Sequence, residues 1–149
     1  MILISACLVG VNCRYDGANI QNANLLEKIK DEGFIPVCPE QLGGLPTPRP
    51  RASIENGTGK EVIAGNAKVI DINGKDITGE FLKGAQEALK IAKLMRVKSA
   101  ILKERSPSCG VEFTNSDFKK VNGAGVFTAL LKREGIKIFS EKYLSDILF

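Results

Sequence analysis

The sequence predicts an α/β fold with three layers: a Rossmann-like, mainly parallel sheet carrying a small β-hairpin insertion. Three observations predict it. Short β-branched runs such as "ILIS" and "FIPVC" alternate with longer stretches of helical periodicity, the pattern of strands joined by crossover helices. The dipeptide Asn73-Gly74 sits between apolar-alternating arms, which signals a tight hairpin. At 149 residues, with no internal repeat, the chain has the length of one domain, spanning residues 1–149.

Each element follows from local chemistry. "ILISACL" (2–8) reads as a buried strand that breaks at Gly10. "NANLLEKIKDEG" (22–33) reads as a helix, capped by Asn22 or Asn24 and stopped at Gly33, with Leu25, Leu26 and Ile29 on one face. "FIPVC" (34–38) is a second strand. The next stretch, 39–51, holds four prolines and two glycines and reads as an ordered loop, a class that usually carries function. "KVIDINGKDIT" (68–78) is the hairpin. Residues 78–96 form the clearest helix, with Thr78 as cap and Phe81, Leu82, Ala85, Ala88, Leu89 and Ala92 as its apolar stripe. "VKSAILK" (97–103) is a third strand, 122–135 a glycine-led helix, "IKIFS" (136–140) a fourth strand and 140–149 a closing helix.

Composition narrows the chemistry. A hydrophobic share of 44% and a charged share of 26% are those of a soluble globular protein. The net charge of +4 is scattered rather than gathered in a run, which argues against a nucleic-acid-binding surface and suits a small anionic ligand. The opening "MILISAC" lacks the basic residues and the apolar length of a signal peptide. No segment approaches the roughly 20 apolar residues of a membrane span, so the expected location is the cytoplasm, where structural disulfides are uncommon. Histidine is absent, which removes every histidine-based nucleophile, metal site and proton shuttle. Four cysteines then read as metal, redox or inert thiols.

Their positions are informative. In open α/β sheets, ligands sit beyond the carboxyl ends of the strands. Cys7 lies at the end of the first predicted strand and Cys13 just beyond it; Cys38 ends the second, and Cys109 follows the third. All four can gather at one edge. Cys13 leads into Arg14, Tyr15, Asp16 and Gly17, which is turn and surface chemistry able to meet a substrate. Cys109 lies in "SPSCG", where Pro107 stiffens the approach and Ser106 and Ser108 can donate to sulfur or substrate. Glu40, after Cys38-Pro39, is the leading general acid or base in a chain without histidine. Gly123, in "NGAGV" before a helix, offers backbone N–H groups to an anion such as phosphate. Residue types alone leave iron–sulfur and thiolate-bound zinc equally open.

Taken in order, "SACLVGVNCRYDG", "PVCPEQLGGLPTPRPRASIENG", "ILKERSPSCG" and "GAGVFTALLKREGIKIFSE" resemble the TudS-like thiouracil desulfidase family, a small bacterial and archaeal domain family. The likeness covers nearly the whole chain. Residues 111–121, "VEFTNSDFKKV", depart from it, as does Ile20, where relatives often carry a basic residue. The resemblance implies a [4Fe–4S] cluster with one open iron, held by Cys7, Cys13 and Cys109. It implies that the thiocarbonyl sulfur of a thiopyrimidine base or nucleotide meets the open iron and that water, activated by Glu40, attacks the ring carbon. Ser106 would relay a proton or stabilise developing charge, and sulfide would leave without net redox. Arg14, Tyr15, Ser108 and Gly123 are the expected substrate contacts. The alternative is a non-catalytic module in which a zinc or iron site staples the loops and the cleft senses a nucleotide. A tRNA-directed desulfidase fits less well, because no basic stripe or added RNA-binding domain is present.

Overall fold

The structure, a computed structural model, describes residues 1–147. Its strands are β1 (Ile2–Ser5), β2 (Phe34–Val37), β3 (Ala52–Glu55), β4 (Lys68–Asp71), β5 (Ser99–Leu102), β6 (Phe113–Ser116), β7 (Lys119–Asn122) and β8 (Lys137–Ser140). Its helices are α1 (Ala23–Ile29), α2 (Pro39–Leu42), α3 (Gly59–Ile63), α4 (Thr78–Leu94) and α5 (Val126–Arg133), with 3-10 turns at Ala6–Val9 and Leu144–Asp146.

The first sheet runs β2-β1-β5-β8 and is parallel throughout. Alternation along its strands gives each face its own core. Ile2, Ile4, Ile101 and Phe139 pack with Leu25 and Ile29 of α1. Leu3, Ala100 and Leu102 face the other way, onto Phe81, Ala85 and Ala88 of α4 and Phe127 and Leu131 of α5. The same α4–α5 core takes Ile54 and Val69 from a second sheet, ordered β4-β3-β6-β7. That sheet is mixed, with β3–β4 and β6–β7 antiparallel and β3–β6 parallel.

The second sheet is larger than the single hairpin expected. Asn73-Gly74 does turn the chain, but the return arm makes only one bridge, Ile70 to Asp76, and β4 pairs with β3 instead. The carboxylate of Asp71 explains this: it accepts from the backbone N–H of Asn73 at 2.8 Å and Lys75 at 3.0 Å, an Asx-type turn that holds the arm in a loop. β3, α3 and the β6–β7 hairpin lie almost wholly in stretches to which the sequence assigns no element. Thr78 is the first residue of α4 rather than its cap, and its Oγ1 accepts from Val69 N–H at 2.9 Å. The expected closing helix is a single 3-10 turn at Leu144–Asp146; its last residues, 148 and 149, lie outside the described residues. Asn22 caps α1, accepting from Leu25 N–H.

For the site, the important feature is the switch between β1 and β5. The chain leaves β1 to one side for β2, and β5 joins on the other side. A crevice opens outside the carboxyl ends of such strands.

Candidate active site

A cavity of about 630 Å³ occupies that crevice. Cys7, Cys13, Cys38 and Cys109 all line it, together with Arg14, Tyr15, Glu40, Arg49, Glu104 and Ser106. Cys7 sits in the 3-10 turn after β1, Cys38 directly after β2, and Cys109 in the loop after β5. The edge predicted from strand order is therefore where the thiols stand. All four are free of disulfides.

The Cys109 turn is built from both sides. Ser106 Oγ accepts from the N–H groups of Ser108 and Cys109, each at 3.1 Å, and Gly110 N–H closes the turn on Ser106 O at 2.9 Å. The start of α5 then receives it. Gly125 N–H donates to Gly110 O, Val126 N–H to Pro107 O and Phe127 N–H to Ser108 O, each at 2.9 Å. The backbones approach so closely that a Cβ on Gly125 would lie 2.5 Å from the Ser108 carbonyl. On the other side stands Glu104, 2% exposed. Its Oε1 accepts three successive backbone N–H groups, from Val111 at 2.7 Å and from Glu112 and Phe113 at 2.9 Å, while its Oε2 is buried without a partner. A fork of consecutive N–H groups is a strong seat for a carboxylate.

Glu40 reaches the cavity from the first turn of α2. That short helix can lie against α4 only because Gly84 has no side chain, since a Cβ there would meet Pro39 O at 1.8 Å. Ser108 donates to Glu40 Oε1 and Cys38 Sγ lies 3.4 Å from Oε2. Ser106 Oγ is 3.0 Å from Ser108 Oγ. Because the single Ser108 proton goes to Glu40, the Ser106 hydroxyl is the donor in that second bond. The result is a directional chain from Ser106 through Ser108 to Glu40.

Three of the thiols, Cys13, Cys38 and Cys109, are pushed towards the protonated form. Burial pushes the Cys109 thiol far up, helped by the charge of Glu40. Cys38 rises through its hydrogen bond with Cys13 and through burial. For Cys13, the bond with Cys38 acts downward, but the bond to Cys7 and burial outweigh it and push the thiol up to about 11. Among the described residues no three Cys, Asp or Glu side chains converge as donors to a single metal ion. The Cys7–Cys13 segment is tied from a distance: Arg49 donates to Cys13 O at 2.9 Å, and Arg49 N–H donates to Tyr15 O at 2.8 Å.

Several expected contacts fall differently. Ser106 does not touch Glu40; Ser108 stands between them. Ser108 itself is 1% exposed and turned to the carboxylate, so it does not reach the cavity as a substrate contact would. Gly123 lies elsewhere, in a groove with Thr58, Lys60, Lys132 and Arg133. The "NGAGV" helix start is no anion seat, because the N–H groups of Gly125, Val126 and Phe127 are spent on carbonyls of the Cys109 turn. Arg14 and Tyr15 do face the cavity, with the guanidinium 5.7 Å from the Tyr15 ring centre. Two organising residues were missed, Glu104 and Arg49. Both lie inside the motifs that carry the family resemblance, Glu104 in "ILKERSPSCG" and Arg49 in "PVCPEQLGGLPTPRPRASIENG", but their bonds to distant backbone show only in the folded chain.

A parallel sheet with a cleft at its switch point, lined by four free cysteines and a carboxylate, defines a small α/β protein with a thiol-lined site. The chain belongs to the 2-thiouracil desulfurase family, which matches residues 2–143. It is 43% identical to the uncharacterized protein YbbK of Bacillus subtilis (strain 168) over 151 residues, covering 99% of this chain and all of that one. Among solved structures it is similar to the [4Fe-4S]-dependent thiouracil desulfidase TudS, at 41% identity and a TM-score of 0.83, over 97% of this chain and 93% of that one.

Proposed function

We propose that this protein is a [4Fe–4S]-dependent desulfidase that converts the C=S group of thiouracil or a thiouridine nucleotide to C=O, releasing sulfide by hydrolysis. The family and the likeness to TudS support the class of reaction. The observation that carries the reading is the hydrogen bond from Ser108 to Glu40, which sets a carboxylate among the thiols of one cavity.

The donor set suits the cluster, although among the described residues the sulfurs do not converge as they would around a single metal ion. Thiolates are its customary ligands, and three buried cysteines on separate turns around one cavity supply them. Cys7, Cys13 and Cys109 would hold it, leaving one iron open. When bound, it supplies a Lewis-acidic iron that polarises the thiocarbonyl carbon towards water. Glu40 takes a proton from the attacking water, and its ionised form accepts from Ser108 while it waits. The Ser106–Ser108 chain carries a proton to or from that carboxylate. Arg14 and Tyr15 flank the pyrimidine, the ring by stacking and the cation by contact with its oxygen or an attached phosphate. The balance is closed: the thiopyrimidine plus water gives the oxo-pyrimidine plus hydrogen sulfide, with no oxidant or reductant. The chain acts as one unit over residues 1–149, on a small molecule rather than nucleic acid. Free thiols support a reducing, cytoplasmic setting, and no helix among the described residues is long and apolar enough to cross a membrane.

The test is sulfide release across a panel of 2-thio and 4-thio bases, nucleosides and nucleotides after anaerobic cluster reconstitution. The expected result is a brown protein with about four iron and four sulfide per chain that releases sulfide from at least one member. A colourless zinc protein that binds a nucleotide without releasing sulfide would instead establish the sensor module.

A further inference from the structure

Cys38 is the thiol that the proposed ligand set leaves over. It is the N-cap residue of α2, yet its side chain makes no capping hydrogen bond to that helix. Pro39 occupies the first helical position and has no N–H to offer. The Cys38 side chain turns instead into the cavity, with Sγ 3.4 Å from Glu40 Oε2 and 3.7 Å from Cys13 O. A thiol has one proton; the Cys13 sulfur is also within its reach, but the charged Glu40 carboxylate is the stronger acceptor and takes it.

Glu40 is thus gripped twice. Ser108, from the Cys109 turn, donates to Oε1; Cys38, from the β2–α2 junction, donates to Oε2. A glutamate side chain carries much rotamer freedom, and a base must be held in line with the proton it removes. One donor leaves the carboxylate free to swing about that contact. Two donors from separate segments fix its plane, while the remaining lone pairs stay available to water.

Resting on the desulfidase reading above, we propose that Cys38 is a positioning residue for Glu40, its thiol orienting the carboxylate, and that it is not a cluster ligand. S–H···O bonds are weak individually, so the contribution is geometric more than electrostatic. It is a contact that serine can reproduce and alanine cannot.

The experiment compares Cys38→Ala and Cys38→Ser with the unchanged protein, all reconstituted anaerobically. Iron content, visible and paramagnetic-resonance spectra, thermal melts, and kcat and KM for sulfide release are measured. The inference predicts that Cys38→Ala keeps the iron content and spectrum, changes KM little and lowers kcat about tenfold, the lower edge for a group that orients a reacting side chain. Cys38→Ser recovers most of that loss. Full kcat in Cys38→Ala would overturn the inference, as would a serine variant no faster than the alanine one. Loss of iron in a well-folded Cys38→Ala would make Cys38 a ligand and also overturn it. An unchanged protein that takes up the cluster but releases no sulfide from any thiopyrimidine would overturn the desulfidase reading, and this inference with it.

Discussion

The two turns that bring cysteines to the cavity are built on opposite plans. The Cys109 turn is clamped between the start of α5 and the buried Glu104 carboxylate, with nearly every backbone group partnered. The Cys7–Cys13 segment is held mainly by bonds within itself and to residues 18–22, which follow it closely in sequence. Val11 N–H reaches Ala6 O, Ile20 N–H reaches Cys7 O, and one guanidinium, that of Arg49, crosses from the proline-rich loop to hold Cys13 O. One side of the site is part of the fold; the other is tethered to it. Damage to the first should cost stability, and damage to the second should cost ligand geometry alone.

The largest expected effect is on the clamped side. Gly125→Ala would drive a Cβ to 2.5 Å from the Ser108 carbonyl, and backbone cannot yield as a flexible side chain can. The expected outcome is a loss of about 4 kcal/mol or failure to fold, read by denaturant titration; a variant as stable as its parent would break the contrast. Next is Glu104→Ala, which strands three N–H groups and should cost about 3 kcal/mol. Glu104→Gln, which keeps an acceptor oxygen, should lose less. Third is Ser108→Ala, which frees Glu40 Oε1 and interrupts the hydroxyl chain. Its kcat should fall about 100-fold with iron content retained. Fourth is Arg49→Ala on the tethered side, where stability should change by under about 1 kcal/mol while iron retention falls about tenfold. If Arg49→Ala unfolds the protein, the two turns are not different in kind.

The smallest effect is on pH dependence. Its hydrogen bond with Cys7, together with burial, outweighs the downward pull of Cys38 and holds the Cys13 thiol protonated up to about 11, above its ordinary 9.0. The folded, cluster-free chain therefore keeps a proton that the unfolded chain releases in that interval. Its stability should be fully present below about 9 and should decline as pH rises towards 11. Denaturant midpoints measured at either end of the window check this. Cluster uptake, which requires thiolates, should be favoured in the same direction.

What the sequence reveals follows the same division between regular and irregular structure. β1 and β5 are legible because central parallel strands, buried on both faces, read as continuous apolar runs. The partly exposed edge strands β2 and β8 still show as short apolar runs bounded by glycine or polar residues. α4 is legible from its apolar stripe. The β6–β7 hairpin is not, because its turn uses Asp117 and Phe118, both at positive φ, in place of the asparagine–glycine pair that announces such turns. The gathering of the cysteines could be inferred from strand order alone. The partner of Glu40 could not: Ser106 and Ser108 are both serines of one short motif, and only the closed turn decides which hydroxyl reaches the carboxylate. "NGAGV" misled for a related reason, since a free helix start and one occupied by neighbouring carbonyls share the same residues.

The central claim is that this cavity uses water, not a reductant, to replace sulfur. Turnover of a thiopyrimidine in heavy-oxygen water by the reconstituted protein tests it most directly. The account predicts equal yields of sulfide and of oxo-pyrimidine carrying the heavy oxygen, with no reductant consumed. Product without the label, or turnover that stops when reductant is withheld from a protein whose cluster is intact, would contradict it.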